Sequence, residues 1–185
     1  DLESLAAADA LKGLSGDRHR AFWQVSGVGK GKSGSNINSS SFFADEELVD
    51  DDFGVDVFLP VASEGQNIAR DYISTGFTLR RHPVALFRNH LDNYQVLTAR
   101  QLALVHNEAN AKVTGLVTCR QRPMTAAGVT FLTLEDESGF VNVVVWPNLG
   151  EKLRPIVHQA TLLGVTGHVQ KSDGVINFIA RDLVD

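Results

Sequence analysis

The chain contains little of what marks a secreted, zinc-binding or membrane protein. Cys119 is its only cysteine, so no internal disulfide can form and a cysteine-based zinc site within one chain is not expected. No run of about 18 apolar residues is available to cross a membrane, and no basic and then apolar leader opens the sequence. We therefore expect a cytoplasmic protein that makes no contact with a membrane.

Motifs for catalysis and metal binding are missing as well. The six histidines show no H-x-x-x-H or H-x-H spacing, and there is no G-x-S-x-G motif or Cys/His nucleophile pairing. The acidic residues 135–137 precede Ser138 and Gly139, and we interpret them as part of a turn. The sequence thus predicts no catalytic residue, no metal ligand and no cofactor in this chain. Because it begins at Asp1 without a methionine, we expect a segment of a longer protein, whose active site could lie elsewhere.

There is no excess of positive charge either. The chain has 17 Lys and Arg against 22 Asp and Glu, for a net charge of −5. This whole imbalance falls in residues 1–109, which hold 10 basic and 15 acidic residues, whereas residues 110–185 hold 7 of each. A nucleic-acid-binding surface would therefore have to depend on a local basic patch and on stacking.

Residues 27–62 have the composition of a flexible linker, rich in Gly, Ser and Asn and then in acidic residues. The sequence SGVGKGKS, Ser26–Ser33, comes close to the phosphate-binding pattern G-x-x-x-x-G-K-[ST], with Ser26 in place of the first glycine. A nucleotide site at Lys32 is the functional alternative. We favour the linker, because no clear strand precedes this motif and no amphipathic helix follows it.

Helical patterns occupy the segments on either side of this linker. Residues 1–26 predict two short helices separated by a Leu-Ser-Gly-Asp turn, with Ser15 or Asp17 as the cap of the second. Residues 63–110 predict a helical connector: one helix ending at Gly76, a second starting at Pro83, and a short third capped by Thr98. The connector also concentrates basic side chains that could contact phosphates or a partner protein, or could simply be solvated; they are Arg80, Arg81 and Arg88.

Residues 111–185 predict a small β-barrel. Apolar and polar residues alternate with a period of two over 113–120, 131–135 and 141–146, and two more strands are predicted at 161–170 and 175–180. A helix is predicted at 148–159, between the third and fourth strands. The order β-β-β-α-β-β is that of the five-stranded OB-fold barrel. The predicted fold class is therefore α+β, with an N-terminal helical segment and a C-terminal OB-fold domain.

The strands of this barrel also predict a binding face. If Leu132, Leu134 and the valines at 141, 143 and 145 fill the barrel, the alternate residues of the second and third strands point outward. Outward aromatic rings can stack on bases, and basic residues at the rims can contact phosphates. The predicted DNA-binding residues are Arg120, Arg122, Phe131, Thr133, Asn142, Trp146 and Lys171, with Val144 on the same outward face.

Three stretches of the sequence resemble one family. CRQRPMTAAGVTFLTLEDESGFVNVVVWP, residues 119–147, is similar to the C-terminal OB region of bacterial error-prone DNA polymerases, C-family relatives of the polymerase III alpha subunit. DYISTGFTLRRHP, residues 71–83, resembles a D-Y-x-x-T-G-x-S-L-R-x-H-P block of the same family, and ADALKGLSGDRHRAFWQVSGV, residues 8–28, resembles the end of its helix-hairpin-helix region. The resemblance covers nearly the whole chain except residues 29–52.

This resemblance implies a non-catalytic segment of an enzyme. The parent protein would be a DNA-directed DNA polymerase, a Mg²⁺-dependent nucleotidyltransferase of the bacterial cytoplasm that acts in damage-induced translesion synthesis and DNA repair. In this segment the OB-fold domain is expected to bind single-stranded template DNA. The expected partners are mutagenesis accessory proteins, including a Y-family-like protein, and the sliding clamp. The alternative is a protein-interaction module that docks the polymerase to those partners.

Overall fold

The computed structural model describes residues 2–28 and 60–185, which form two compact units that divide between Thr78 and Leu79. Unit 1 comprises the described residues up to Thr78, and unit 2 comprises residues 79–185. The boundary falls inside the segment predicted to be a connector. Lys32 and most of the predicted linker lie outside the described residues.

Unit 1 contains four helices among its described residues: α1 (Leu2–Ala7), α2 (Lys12–Ser15), α3 (Arg18–Val28) and α4 (Glu64–Thr75). The prediction of only two N-terminal helices was wrong, because the chain turns at Asp9, where φ is +62°, before the expected turn at Gly16. Of the two predicted caps, Asp17 is the one used: its carboxylate accepts a hydrogen bond from the Arg20 backbone N–H at 3.0 Å.

Helix α4 has clear signals at both ends. Ser63 and Gln66 form a reciprocal capping box at its start, and Gly76 ends it in the left-handed conformation, as predicted. Unit 1 contains a buried charge pair, in which the Arg18 guanidinium pairs with the Asp71 carboxylate of α4. Thr78 donates a 2.6 Å hydrogen bond to that carboxylate, so this buried charge pair is also held by hydrogen bonds.

A groove of about 440 Å³ runs along the surface of unit 1. Its apolar wall includes Phe22 and Trp23 of α3 and Ile73 of α4, all of which are exposed. Within the two described stretches of the chain, no helix has the length and apolar character needed to cross a membrane.

Unit 2 begins with short helical turns. A 3₁₀ turn at Pro83–Phe87 leads directly into α5 (Arg88–Asn93), in place of the single helix predicted from Pro83. Helix α6 (Ala99–Leu104) follows and is capped by Thr98, whose hydroxyl accepts from the Gln101 N–H at 3.1 Å. The predicted cap at Thr98 is confirmed, and Gln101 completes a second capping box.

The five strands described in unit 2 form a closed barrel in the order β1-β2-β3-β5-β4, with β1 also paired to β4. They are β1 (Asn110–Gln121), β2 (Thr130–Asp136), β3 (Gly139–Val145), β4 (Leu162–Ser172) and β5 (Val175–Val184). Only the pairing of β3 with β5 is parallel. The predicted five-stranded OB fold is confirmed, and the predicted inward residues of β2 and β3 are buried in its core.

The helical segment between β3 and β4 is two helices, not the single one predicted. They are α7 (Pro147–Lys152) and α8 (Arg154–Gln159), separated at Leu153, whose backbone has φ −109° and ψ 30°. Pro155 accounts for the break, since its ring and its missing N–H do not fit a continuous helix interior. The apolar residues of this segment, Leu149, Leu153, Ile156 and Val157, belong to the barrel core or pack against it.

Candidate nucleic-acid interface

Two aromatic rings lie exposed on the outer face of the barrel, as the alternation predicts. Phe131 of β2 is 40% exposed, and Trp146, directly after β3, is 54% exposed. Thr133 and Asn142 are paired across β2 and β3 on this same face. Because Leu132 and Leu134 fill the interior, the rings of Phe131 and Trp146 remain available for stacking on a ligand.

A third aromatic residue, Phe140, was missed by the sequence analysis. It is 65% exposed and lies opposite Glu135 in the β2–β3 ladder, near the hairpin turn. Phe140 has the same parity as Asn142 and Trp146, so the alternation extended by one step would have found it. From Phe140 to Trp146 the outer face spans about 20 Å, at about 3.4 Å per residue.

Val144 points outward but is not available to a ligand, which corrects the prediction of an open outward position. Only 8% of it is exposed, because it packs with Ile179 of β5 and with Val129 and Ala126 of the β1–β2 loop. This loop therefore covers part of the outer face of β3 and β5. Alternation gives the direction of a side chain, but it does not reveal a loop that folds over it.

Arg122 is the predicted basic residue that remains available. It is exposed, and its guanidinium makes no hydrogen bond or ion pair with any residue that the structure describes. Gly128, with φ +86°, lies between this guanidinium and Pro147: a Cβ there would be 3.4 Å from Arg122 Nη2 and 3.5 Å from Pro147 Cγ. Arg122 thus lies close to the Trp146–Pro147 end of the aromatic face.

Two other predicted phosphate contacts, Arg120 and Lys171, already hydrogen-bond to backbone carbonyls of unit 2, although Arg120 is exposed and Lys171 partly exposed. Arg120 donates from Nε to the Val157 carbonyl at 3.0 Å and from Nη2 to the Ala160 carbonyl, at the end of α8. Lys171 Nζ donates to the Ala103 carbonyl of α6 at 2.8 Å. Both cations therefore satisfy carbonyls at the ends of short helices.

Arg88 is also engaged, as a structural ion pair. Its Nε and Nη2 donate to the Glu137 carboxylate at 2.5 and 3.0 Å, and Nη1 donates to the Val96 carbonyl at 3.2 Å. Burial alone would lower the pKa of Arg88, but the hydrogen bond and charge of Glu137, together with the charges of Asp136 and Asp92, raise it above its ordinary value. Arg80 and Arg81 have interaction partners too.

The acidic cluster at the β2–β3 turn is structural, as predicted. Asp136 Oδ1 accepts hydrogen bonds from the Ser138 N–H at 2.7 Å, the Ser138 hydroxyl at 2.8 Å and the Gly139 N–H at 3.0 Å. Its Oδ2 accepts from the Ala99 N–H at 2.6 Å, at the start of α6. One buried carboxylate therefore closes the hairpin and caps a helix.

No group of three or more His, Cys, Asp or Glu side chains able to hold a metal ion occurs within residues 2–28 and 60–185. The features of the barrel that suit nucleic-acid binding include the exposed rings and the Arg122 guanidinium. Such a surface suits binding of an aromatic, anionic polymer.

The fold and this face together place the barrel in a known class. Residues 111–185 match the family model described as an OB-fold nucleic acid binding domain. This domain is thus the OB-fold module that the alternation of the strands predicted.

The curated relatives indicate a more specific family than the OB-fold domain class does. The entire chain is 44% identical to a protein from Methylococcus capsulatus named error-prone DNA polymerase, and 43% identical to one of the same name from Bordetella parapertussis. The predicted resemblance to error-prone DNA polymerases is confirmed over the whole chain. The chain spans only 16% of the length of each of these relatives.

A solved structure with a similar region is asparaginyl-tRNA synthetase from Pyrococcus horikoshii. It is 21% identical over 42% of this chain and 19% of its own, with a TM-score of 0.37. That score is too low to support any argument about function.

Proposed function

We propose that the chain is a non-catalytic segment of an error-prone DNA polymerase, in which the OB-fold domain holds single-stranded template DNA. The observation that carries the proposal is the outer face itself: Phe131 and Trp146 are exposed, and Arg122 lies beside them without a partner among the described residues. Each stacked base contributes about 1–3 kcal/mol to binding. The balanced charge of residues 110–185 suits this mode, because stacking needs little net positive charge.

The proposal extends to the parent protein, because the curated relatives are named error-prone DNA polymerases. As part of such a polymerase, the segment would act in damage-induced translesion synthesis and DNA repair in the bacterial cytoplasm. Nucleotidyl transfer with Mg²⁺ would take place in another part of the enzyme. The mutagenesis accessory proteins, among them a Y-family-like protein, and the sliding clamp would be its partners.

The proposal is tested by measuring the affinity of this chain for a fluorescent single-stranded oligonucleotide across a salt series. Phe131→Ala should weaken binding by about 1–3 kcal/mol at every salt concentration, since it removes a stacking surface. Arg122→Ala should lower the slope of log affinity against log salt by about 1, since it removes one phosphate contact. Phe87→Ala, at an exposed aromatic position outside this face, is the matched control. An absence of binding at low salt would exclude the proposal.

A second candidate function, a module that docks partner proteins, is supported by the groove of unit 1. Phe22, Trp23 and Ile73 line it and are exposed, and apolar grooves of this kind often receive a protein segment. Trp23→Ala separates the two candidates. It should leave the oligonucleotide affinity unchanged if DNA binding belongs to the barrel, and it should abolish capture of a purified accessory protein if the groove is the docking site.

A further inference from the structure

Four polar side chains lie side by side across the outer face of the barrel. The register pairs Thr133 of β2 with Asn142 of β3, Asn142 with Asn177 of β5, and Asn177 with Gln170 of β4. We name these four residues the polar row. Adjacent strands are about 4.8 Å apart, so the polar row follows about 14 Å of the curved outer wall of the closed barrel.

The polar row is accessible and unused. Asn142 and Gln170 are exposed, and Thr133 and Asn177 are partly exposed. None of these four side chains hydrogen-bonds to another residue in the part of the chain that the structure describes. Side-chain amides each carry two N–H donors and a carbonyl acceptor, so three neighbouring amides offer a dense set of donors and acceptors.

The outward side chains on the two sides of the polar row differ in how exposed they are. On one side Phe131 is open, but Val144 and Ile179 are covered by the β1–β2 loop. On the other side lies Phe140, which is largely exposed. The polar row is therefore an open polar path across the barrel, with an exposed aromatic ring on each side of it.

We propose that the polar row reads base edges of single-stranded DNA and gives the site a base preference. This inference rests on the proposed function. Bases stacked on Phe131 and Phe140 would present their edges to the amides between them, and amide side chains make paired hydrogen bonds with base edges. The β1–β2 loop covers Val144 and Ile179. A DNA strand that crosses β3 and β5 would therefore pass directly over the polar row.

The test compares the affinities of the whole chain for three oligonucleotides, oligo-dA, oligo-dC and oligo-dT, each about 12 nucleotides long, within the range that one OB fold occupies. The unsubstituted chain should prefer one of them over another by about 5-fold or more, because one good paired contact discriminates by at least about 1 kcal/mol. Asn142→Ala with Asn177→Ala should reduce this ratio to within about 2-fold. Gln170→Ala, at an exposed position where folding is not at risk, should reduce it in the same direction.

Two control variants separate base preference, assigned to the polar row, from overall affinity, assigned to stacking. Gln159→Ala removes an exposed amide from the end of α8, outside the polar row, and should leave the base preference unchanged. Phe131→Ala should weaken binding to all three oligonucleotides and preserve their order.

The possible failures are distinguishable. Binding without a base preference, or a preference that survives in every polar-row variant, would overturn this inference and leave the proposed function intact. An absence of binding to all three oligonucleotides would overturn both.

Discussion

Arg120 and Arg122 lie two positions apart at the end of β1, yet the structure gives them different surroundings. Arg120 donates to the carbonyls of Val157 and Ala160, whereas Arg122 lies beside Gly128 with no partner among the described residues. In sequence they are equivalent members of an R-Q-R motif. Only the position of α8 tells them apart.

Arg120→Ala should therefore lower the stability of the barrel and leave DNA binding intact. Losing two hydrogen bonds from a charged donor to helix-end carbonyls should cost about 1–3 kcal/mol. Urea denaturation measures the cost, and oligonucleotide titration of the folded variant measures binding. A variant of unchanged stability that loses affinity would show that Arg120 contacts DNA.

Asp136 is the residue whose substitution should be most costly at the β2–β3 turn. Asp136→Ala leaves the partly buried N–H groups of Ser138, Gly139 and Ala99 without their acceptor, so we expect a loss of about 2–4 kcal/mol in the free energy of unfolding. Asp182→Ala, at an exposed position in β5, is the control and should change stability by less than about 0.5 kcal/mol. Equal stability of the two variants would contradict this role of Asp136.

At the scale of elements, the contact between β4 and β5 depends on Gly167, which has no side chain. The pairing shifts by one residue between Thr166 and Gly167, where the strands come unusually close. A Cβ at Gly167 would lie 2.1 Å from the Ile179 carbonyl oxygen, a backbone atom that cannot rotate away.

Gly167→Ala should consequently destabilise the barrel by about 3 kcal/mol or more, because the two strands must separate. Gly150→Ala is the matched substitution in α7: its Cβ would meet Val145 Cγ1 at an ordinary 3.7 Å, and alanine favours a helix by about 0.5–1 kcal/mol. Thermal unfolding should therefore show opposite shifts for the two variants. A mild effect of Gly167→Ala would mean that the bulge can relax.

At the scale of the whole molecule, the chain divides into two units, and the proposed DNA-binding face lies in unit 2. Unit 2 has its own closed barrel and apolar core, while unit 1 has a small helical core at Ala6, Ala21 and Val25 together with the Arg18–Asp71 pair. A unit with its own core can usually fold alone.

A fragment of residues 79–185 should accordingly unfold cooperatively and bind the oligonucleotide with the same salt slope as the whole chain. The comparison uses circular dichroism for folding and a salt titration for binding. A folded fragment with a markedly weaker slope would show that unit 1 also contributes phosphate contacts.

Much of the barrel and part of its face could be predicted from local pattern. Period-two alternation identified the first three strands and the inward residues Leu132 and Val143, because the interior of a small barrel admits one face of each strand. The same pattern placed Phe131 and Trp146 outward, and both are exposed. It could not show that Lys171 and Arg88 are held by Ala103 and Glu137, because those partners lie far away in sequence.

The sequence by itself determined the order of the strands along the chain, the helix end at Gly76, the helix cap at Thr98 and the resemblance to error-prone polymerases, since each depends on residues close together in the chain. The tertiary structure alone decided which of the predicted cations are available, where the β1–β2 loop covers Val144, and that the polar side chains of four strands align in one row. Those features depend on strand register and on contacts between distant segments, and a local pattern carries no information about either.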